Sequence, residues 1–158
     1  MRTRIFWIHP QVGIMGRPMG GDDLLEEIHN WQKLEIKTIV SFLTDEENEE
    51  LDLEFERMDC TRVGLEFIKY PIEPKEAPDS FIKTKAILVQ LLAQVNRGER
   101  MLLHSRAGIG RSAVFGLLLL HTLGWTYEDA LAHIIANRGV QIPDNEEQLK
   151  WVKTYCQR

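Results

Sequence analysis

The sequence predicts an α/β domain built on a central mixed, mostly parallel sheet of about four to five strands, with helices on both faces. Three observations lead to this fold class. Short β-rich apolar runs alternate with helical patterns, an order typical of parallel strands joined by helices. One late helical segment is apolar on nearly every side, which places it in the core. A length of 158 residues with 44% hydrophobic residues suits a single domain covering residues 1–158.

The first part of the chain is expected to contain three strands, with one helix between the second and the third. The predicted strands are Arg4–His9, Val12–Met15 and Ile36–Leu43. The helix follows a loop rich in glycine and proline, and Asp22 or Asp23 is expected to cap it. Its predicted buried face consists of Leu24, Leu25, Ile28 and Trp31.

An acidic helix is predicted next. Thr44 and Glu47 have the spacing of a capping box, in which each side chain binds the backbone of the other. The acidic run Asp45–Glu50 suits the positive end of the helix dipole, and we expect the rest of it to be a solvated face. A metal-binding or partner-binding acidic patch is the alternative interpretation.

The middle of the chain predicts a strand, a loop and a long helix. The strand covers Leu65–Tyr70, and the loop Pro71–Asp79 contains three prolines and no periodicity. Asp79 or Ser80 caps the helix, which runs through Arg97. Its apolar positions, expected to form one buried face, are Phe81, Ile82, Ile87, Leu88, Leu91, Leu92 and Val95.

The last third is expected to hold a short buried strand and three helices. The strand is Met101–Leu103, and the first two helices are Ser112–Leu123 and Tyr127–Arg138. Thr126 caps the second of these helices and Gly139 ends it. Pro143 and Asp144 introduce the final helix, whose packing residues are Leu149, Trp151, Val152 and Tyr155.

Several classes of function are disfavoured by composition. A net charge of −5 gives no electrostatic footprint for a nucleic-acid partner. No apolar stretch approaches the ~20 residues that span a bilayer, and the N-terminal residues lack the apolar core of a secretion signal. Cys60 and Cys156 have no metal-ligand spacing, so we expect free thiols in a reducing cytoplasm, with no metal and no cofactor.

The most informative stretch is His104–Ser112, a strand end followed by a glycine-bearing loop and the start of the core helix. Backbone N–H groups gather at such a junction and form an anion site. Ala107, Gly108 and Gly110 are small enough for the backbone to close around a tetrahedral oxyanion. Arg111 adds a planar fork of donors. We therefore expect a phosphate or sulfate ion in this loop.

This stretch resembles the phosphate loop of the cysteine-dependent phosphatases, His-Cys-x5-Arg-Ser/Thr, and most closely that of the dual-specificity subgroup. The matching residues are His104, Ala107, Gly108, Ile109, Gly110, Arg111 and Ser112. The order of elements extends the resemblance over nearly the whole chain, and the segment from Gly16 to Asp22 resembles a short bacterial branch of that family. The position of the nucleophilic cysteine holds Ser105.

Ser105 changes the expected chemistry. A serine hydroxyl stays protonated unless a general base removes the proton, whereas cations and helix N-termini readily turn a thiol into a thiolate. The chain as written is expected to bind phosphate and turn over little or nothing. A cysteine-to-serine trapping form of a tyrosine or dual-specificity phosphatase is the favoured explanation, because the rest of the loop is intact. A native binding-only pseudophosphatase and a small-molecule phosphatase are the alternatives.

The general acid departs from the family pattern. The resemblance implies an aspartate on a mobile loop in a Pro-Ile-x-Asp sequence, and this chain has Pro71–Pro74 there, with proline at the aspartate position. Glu73 and Asp79 are the candidate acids, and Glu76 is a nearby alternative. Asp79 is also interpretable as a helix cap, and Glu73 as a solvated carboxylate.

The remaining site residues each have two interpretations. Arg111 grips phosphate with two donors, or pairs with an acid at a helix start. His104 is the one nearby candidate for a general base, or it forms an orienting hydrogen bond within the loop, which is the favoured interpretation. Ser112 caps the helix or, as the resemblance implies, assists the departure of a thiolate. Gln148 lies near the site and places water, as the resemblance implies, or is an exposed polar residue.

Two further arginines lie near the predicted site. Arg17 lines the mouth of the pocket, or forms a cap or surface ion pair. Arg106 lies inside the loop and is expected to point outward to substrate. The lysine-rich loop typical of phosphoinositide phosphatases is absent, since Ala107 and Ile109 flank Gly108. This disfavours a highly charged inositol substrate.

Overall fold

The computed structural model describes residues 2–158 of the chain. In this range the strands are β1 (Phe6–His9), β2 (Val12–Met15), β3 (Ile36–Ser41), β4 (Glu66–Lys69) and β5 (Arg100–His104). The helices are α1 (Leu24–Lys33), α2 (Asp45–Glu50), α3 (Glu56–Arg62), α4 (Phe81–Asn96), α5 (Arg111–Thr122), α6 (Tyr127–Arg138) and α7 (Glu146–Cys156). A short 3-10 turn, Gly21–Asp23, precedes α1. The predicted fold class, a mixed and mostly parallel sheet with flanking helices, is confirmed.

The sheet has the strand order β1-β2-β5-β3-β4 among the described residues. β1 is antiparallel to β2, and the other neighbouring strands are parallel. The register places Met15 beside His104 and Ser41 beside both His104 and Lys69. Because four parallel strands end in one row, the loops that follow them meet at the same edge of the sheet.

Helices cover both faces of this sheet. On one face, α5 is buried at every position from Arg111 to Leu120, as expected for a helix that is apolar on nearly every side. It packs there with α4, α6 and α7. On the other face, α1 and α3 enclose a second apolar cluster around the fully buried Trp31 and Cys60. The loop before α5 therefore leads directly into a buried helix of the core.

Most predicted helix ends are formed as expected. Thr44 and Glu47 make a reciprocal capping box on α2, and Ser80 caps α4 by accepting a hydrogen bond from the backbone of Lys83. Thr126 caps α6, and Gly139 ends it in the left-handed conformation at φ 74°.

Four details of the predicted elements are wrong. The side chain of Asp23 makes no cap hydrogen bond on α1, because the 3-10 turn occupies the entry to that helix. Leu25 and Ile82 are 50% and 85% exposed, so they lie outside the buried faces of α1 and α4. Helix α3 was not predicted from the sequence.

No helix in residues 2–158 is long and apolar enough to cross a bilayer.

Candidate active site

The loop at residues 105–110 is held against β2 and the segment after it. The Ser105 N–H donates to the Met15 carbonyl over 3.4 Å, and the Arg17 N–H donates to the Arg106 carbonyl over 3.1 Å. Gly108 has φ 71°, and a β-carbon there would lie 2.6 Å from the Met15 carbonyl carbon. Only glycine permits this close approach of two backbones.

Arg138, in the last turn of α6, binds the outside of the same loop. Its Nε donates to the Gly108 carbonyl over 3.1 Å and its Nη2 donates to the Ala107 carbonyl over 3.4 Å. The guanidinium also lies 3.9 Å from the centre of the Phe6 ring. The positive charge of Arg138 therefore lies against the negative ends of two peptide dipoles, on a loop whose N–H groups can bind an anion. Sequence reasoning missed Arg138, which has the pattern of an ordinary basic residue at a helix C-terminus.

Ser105 lies at the base of the loop and is 2% exposed. Its Oγ lies 2.9 Å from the Ser112 Oγ and accepts a 3.3 Å hydrogen bond from the Ser112 N–H. Within residues 2–158, it forms no hydrogen bond with a carboxylate or an imidazole. The hydroxyl therefore has no general base as a partner. The expectation that Ser112 caps the helix is wrong, because Gly110 holds the N-cap position and Ser112 lies inside α5.

Arg111 is buried and presents one edge of its guanidinium to a carboxylate. Its Nη1 and Nη2 donate to the two oxygens of Glu47 over 2.7 and 2.9 Å. Nη1 also donates to the carbonyls of Phe42 and Ile72, over 3.2 and 2.7 Å. Among the described residues, the Nε–H and the second Nη2 hydrogen have no protein partner. These two donors form the fork that fits two oxygens of a phosphate.

Glu47 is the charge that orients Arg111. Burial by itself raises the pKa of the Glu47 carboxyl, but hydrogen bonds from Arg111 and Thr44 outweigh burial and hold that pKa below its usual value. The carboxylate is therefore charged near neutral pH. The pairing of Arg111 with an acid at a helix start is confirmed, whereas the phosphate grip remains a prediction. Glu47 is also the exception to the predicted solvated acidic face, since it is 4% exposed.

His104 is fully buried behind the loop. Its Nε2 lies 2.7 Å from Oε2 of Glu56, at the start of α3. The expected hydrogen bond within the loop is wrong, because the ring instead reaches a helix that the sequence did not predict. His104 Nδ1 and Glu56 Oε1 are buried without a partner among the described residues. His104 therefore supports the loop from behind.

The two candidate acids lie on the segment at residues 71–79. Both Glu73 and Asp79 are exposed, and Asp79 accepts a 3.3 Å hydrogen bond from the Tyr70 hydroxyl. Ser80 caps α4, so the cap interpretation of Asp79 is wrong. Both acids line a cavity of about 210 Å³ whose other walls are Thr44, Pro71, Ile72, Glu76 and Ala77. The carbonyl of Ile72 accepts a hydrogen bond from Arg111, which links this segment to the start of α5, directly after the loop at residues 105–110.

Gln148 is fully buried, so its interpretation as an exposed helix residue is wrong. Its Oε1 accepts a 2.8 Å hydrogen bond from the Asp144 N–H, and its Nε2 donates to the Glu76 carbonyl over 3.1 Å. A β-carbon on Gly110 would lie 3.1 Å from Gln148 Nε2 and 2.0 Å from Asp144 Oδ2. The Gln148 amide and the Asp144 carboxylate, at the start of α7, therefore lie next to the loop at residues 105–110. The contact of Asp144 was not predicted from the sequence.

Arg106 and Arg17 bind protein groups near the loop, Arg106 in ion pairs and Arg17 in a hydrogen bond to a carbonyl. Arg106 Nη1 lies 3.0 Å from a Glu50 oxygen and 3.8 Å from a Glu47 oxygen. The contact of Arg106 with substrate stays a prediction, since its side chain is half exposed at these ion pairs. Arg17 donates to the Pro18 carbonyl over 3.3 Å and forms no ion pair within residues 2–158. In the same range no histidine, cysteine and carboxylate side chains are grouped to hold a metal ion.

The structural neighbours of this chain, which share its mixed sheet and its strand–loop–helix turn after the central strand, are dual-specificity and tyrosine phosphatases. Kinase associated phosphatase, in a form whose catalytic-site cysteine is substituted by serine, superposes with a TM-score of 0.89 at 18% identity, covering 98% of this chain and 94% of that one.

Two further structures are similar. Tk-PTP in its active form gives a TM-score of 0.79 at 23% identity, covering 98% of this chain and 97% of that one. The human tyrosine phosphatase-like serine/threonine/tyrosine-interacting protein gives 0.74 at 19% identity, covering 98% and 95%. No family model and no curated protein sequence matches the chain. At these identities the comparisons establish the fold.

Proposed function

We propose that the chain is a phosphoester-binding domain of the phosphatase type, and that it hydrolyses phosphotyrosine or mixed phosphoprotein substrates when a cysteine occupies position 105. The proposal rests on the guanidinium of Arg111, which binds protein acceptors along one edge only among the described residues. One edge is fixed by Glu47 and two carbonyls, and the other keeps two donors for a ligand. A fork that is oriented before binding loses little entropy when it grips phosphate.

The chemistry of each half of the reaction follows from the loop. A thiolate at position 105 attacks phosphorus, the bond from phosphorus to the ester oxygen breaks, and the leaving oxygen receives a proton. Arg111 and the loop N–H groups stabilise the charge on the transferring group. The Ser112 hydroxyl, 2.9 Å from the side chain at position 105, then stabilises the sulfur as it leaves in the second half.

Proton donation to the leaving oxygen is assigned to the segment at residues 71–79. Glu73 and Asp79 are the candidates, since both line the cavity beside Thr44 and Ile72, next to the Arg111 site. An aryl leaving group needs this proton less than an alkyl one, because a phenoxide is the more stable anion. We therefore expect phosphotyrosine to be cleaved faster than phosphoserine.

A binding-only role is the second candidate, and the environment of Ser105 favours it for the chain as written. Its hydroxyl is bound to Ser112 and has no basic side chain among its described partners. The tyrosine phosphatase-like interacting protein shares the fold. The substituted kinase associated phosphatase likewise has a serine in place of its catalytic cysteine.

Free thiols at Cys60 and Cys156 support a cytoplasmic location.

One pair of measurements tests the proposal. The unmodified chain is titrated with a phosphotyrosine peptide by calorimetry, and Ser105→Cys is assayed on 4-nitrophenyl phosphate. We expect binding in the first experiment and turnover in the second. Arg111→Met should abolish both, whereas Arg97→Met, at an exposed ion pair with Glu99, should change neither.

The outcomes separate the candidates. Binding without turnover in Ser105→Cys supports the binding module and contradicts the enzyme. If the peptide does not bind and the variant releases no nitrophenol, both candidate functions fail.

A further inference from the structure

Helix α4 carries an apolar stripe on its solvent side. Ile82 and Val89 are 85% and 58% exposed, and Ala86 and Ala93 are exposed as well. These residues follow one another at intervals of four, three and four, which is the seam that one helix of a coiled coil presents to another. None of them belongs to either apolar cluster of the core. The stripe is therefore a helix-packing surface that no element in residues 2–158 covers.

A groove at the N-terminal end of the stripe adds room for one bulky side chain. Its volume is about 440 Å³, and the residues that line it are Phe81, Ile82, Lys85, Tyr155 and Arg158. The Phe81 and Tyr155 rings stack with their centres 5.9 Å apart, which gives the groove two rigid aromatic surfaces. Aromatic side chains around a groove of this kind suit an apolar anchor residue of a partner.

The charge around the stripe is positive, although the chain as a whole has a net charge of −5. Helix α4 contains Lys83 and Lys85 and no acidic residue. Within residues 2–158, neither lysine forms an ion pair, and neither does Arg158 beside the groove. An acidic partner would therefore find cations that no carboxylate of the described chain neutralises.

A second copy of the chain does not supply the complementary charge. Two α4 helices packed along their stripes would bring lysines against lysines or against uncharged residues in every register, because the helix has no carboxylate. Glu66, on the neighbouring strand β4, already accepts hydrogen bonds from the amides of Gln90 and Gln94 over 2.6 and 3.0 Å. Self-association is thus disfavoured by charge.

A lipid surface also fits this stripe less well than a helix does. Helices that lie in the membrane interface present bulky Trp, Phe and Leu side chains, whereas Ala86 and Ala93 offer little apolar area. Small side chains at a contact instead let two helix axes approach closely.

From this geometry we infer that the α4 stripe docks an amphipathic helix of a partner protein. The docked helix carries acidic residues on both sides of its apolar seam and places one bulky apolar residue in the groove beside Ile82. The stripe runs along about 17 Å of helix, so the interface is small and the complex is transient. Docking does not depend on whether the loop at residues 105–110 catalyses a reaction or only binds a ligand.

The test titrates the full chain with two synthetic helical peptides of about 18 residues, followed by fluorescence anisotropy. Both peptides carry leucine along a coiled-coil seam, and the flanking positions are glutamate in one and lysine in the other. We expect only the acidic peptide to bind. Ile82→Ser should weaken its affinity about tenfold, because the anchor contact is lost. Leu25→Ser removes an exposed leucine from α1 and is the matched control, with no expected change.

A charge reversal separates docking from a loss of folding. Lys85→Glu should weaken binding of the acidic peptide and strengthen binding of the basic one, since the attraction along that side is inverted. An unfolded variant cannot gain affinity for the basic peptide. Raising the salt concentration should weaken the acidic peptide in the parent, because the charges are exposed.

Three results would overturn the inference. Equal binding of both peptides, or no binding of the acidic one, contradicts a basic docking face. A dimer in sedimentation velocity that Ile82→Ser dissociates would assign the stripe to a second copy of the chain. Binding to phosphatidylserine vesicles that Ile82→Ser abolishes would assign it to a membrane surface.

Discussion

Arg111 and Glu47 meet through two hydrogen bonds, of 2.7 and 2.9 Å, in a site where both side chains are buried. Glu47 also completes the capping box of α2 through Thr44. One carboxylate therefore fixes the start of a helix and the orientation of the arginine across the sheet edge. The guanidinium is positioned before any ligand arrives.

Replacing Glu47 should therefore cost stability. Glu47→Gln retains the hydrogen-bonding shape of the cap and leaves Arg111 charged and uncompensated. We expect a loss of about 3 kcal/mol in the free energy of unfolding, the lower range for breaking a buried ion pair. Urea denaturation measures it. Glu46→Gln, on the exposed face of the same helix, is the control, and an equal loss there would contradict a specific role for the pair.

The same pair predicts a dependence on pH. The folded-state pKa of Glu47 lies below the ordinary carboxyl value of 4.5, so its stabilisation is complete above that value. It is lost as the pH falls through the lowered pKa of the folded state. The difference in unfolding free energy between the parent and Glu47→Gln should thus be constant near neutral pH and shrink in acid. A difference that stays constant throughout the acid range would refute this account.

The buried contact between His104 and Glu56 should also be measurable. Glu56→Ala leaves the His104 Nε2 without its partner, and an unsatisfied buried polar group costs about 1–3 kcal/mol. The midpoint of urea denaturation reports the loss. Glu54→Ala removes an exposed carboxylate two residues away and should leave the midpoint unchanged. Equal midpoints for the two variants would mean that the pair contributes nothing.

Two glycines separate backbone strain from steric contact. Gly98 has φ 75° with open space around its β-carbon position, so Gly98→Ala should cost only the strain of a left-handed residue, about 1–2 kcal/mol. Gly108 has φ 71° and lies against the backbone of Met15, so Gly108→Ala should cost more and weaken phosphate binding. Calorimetric titration with inorganic phosphate and thermal denaturation distinguish the two. Unaltered phosphate affinity in Gly108→Ala would show that the loop adapts.

Thiol chemistry reports on the loop without substrate. Burial raises the pKa of Cys60 and raises that of Cys156 to about 11, so both resist alkylation. The loop cations and N–H groups should lower the pKa of a thiol introduced by Ser105→Cys below the usual ~8.5. Iodoacetamide at mildly acidic pH should then label Ser105→Cys and spare the parent, and inorganic phosphate should protect the variant. Labelling that begins only at alkaline pH would contradict an anion-stabilising loop.

The sequence predicted what depends on local patterns. Capping residues such as Thr44, Ser80 and Thr126 act within one turn, so their spacing identifies them directly. The loop before α5 was recognisable for the same reason, because glycines and Arg111 lie within one short stretch. The core helix was also predictable, since its composition leaves no polar face.

Contacts between distant segments were not predictable in this way. Glu47 is 64 residues from Arg111, and Glu56 is 48 residues from His104. Nothing in an acidic run distinguishes the one carboxylate that turns inward, and a seven-residue helix such as α3 is too short for a clear period. Ile82 was misplaced because an apolar residue near a helix start does not reveal which side the neighbouring elements cover.

The amide of Gln148 has a consequence for engineering the molecule. It joins the backbone of Asp144 to that of Glu76, and the adjacent Asn145 side chain donates to the Lys75 carbonyl over 2.8 Å. Two surface segments some 70 residues apart in the chain are thus fastened edge to edge. Grafting either segment from another scaffold, or changing its length, requires a matching change in the other. A chimera in which both segments are exchanged together should keep the hydrogen bonds between them, whereas exchanging one segment alone should break these bonds.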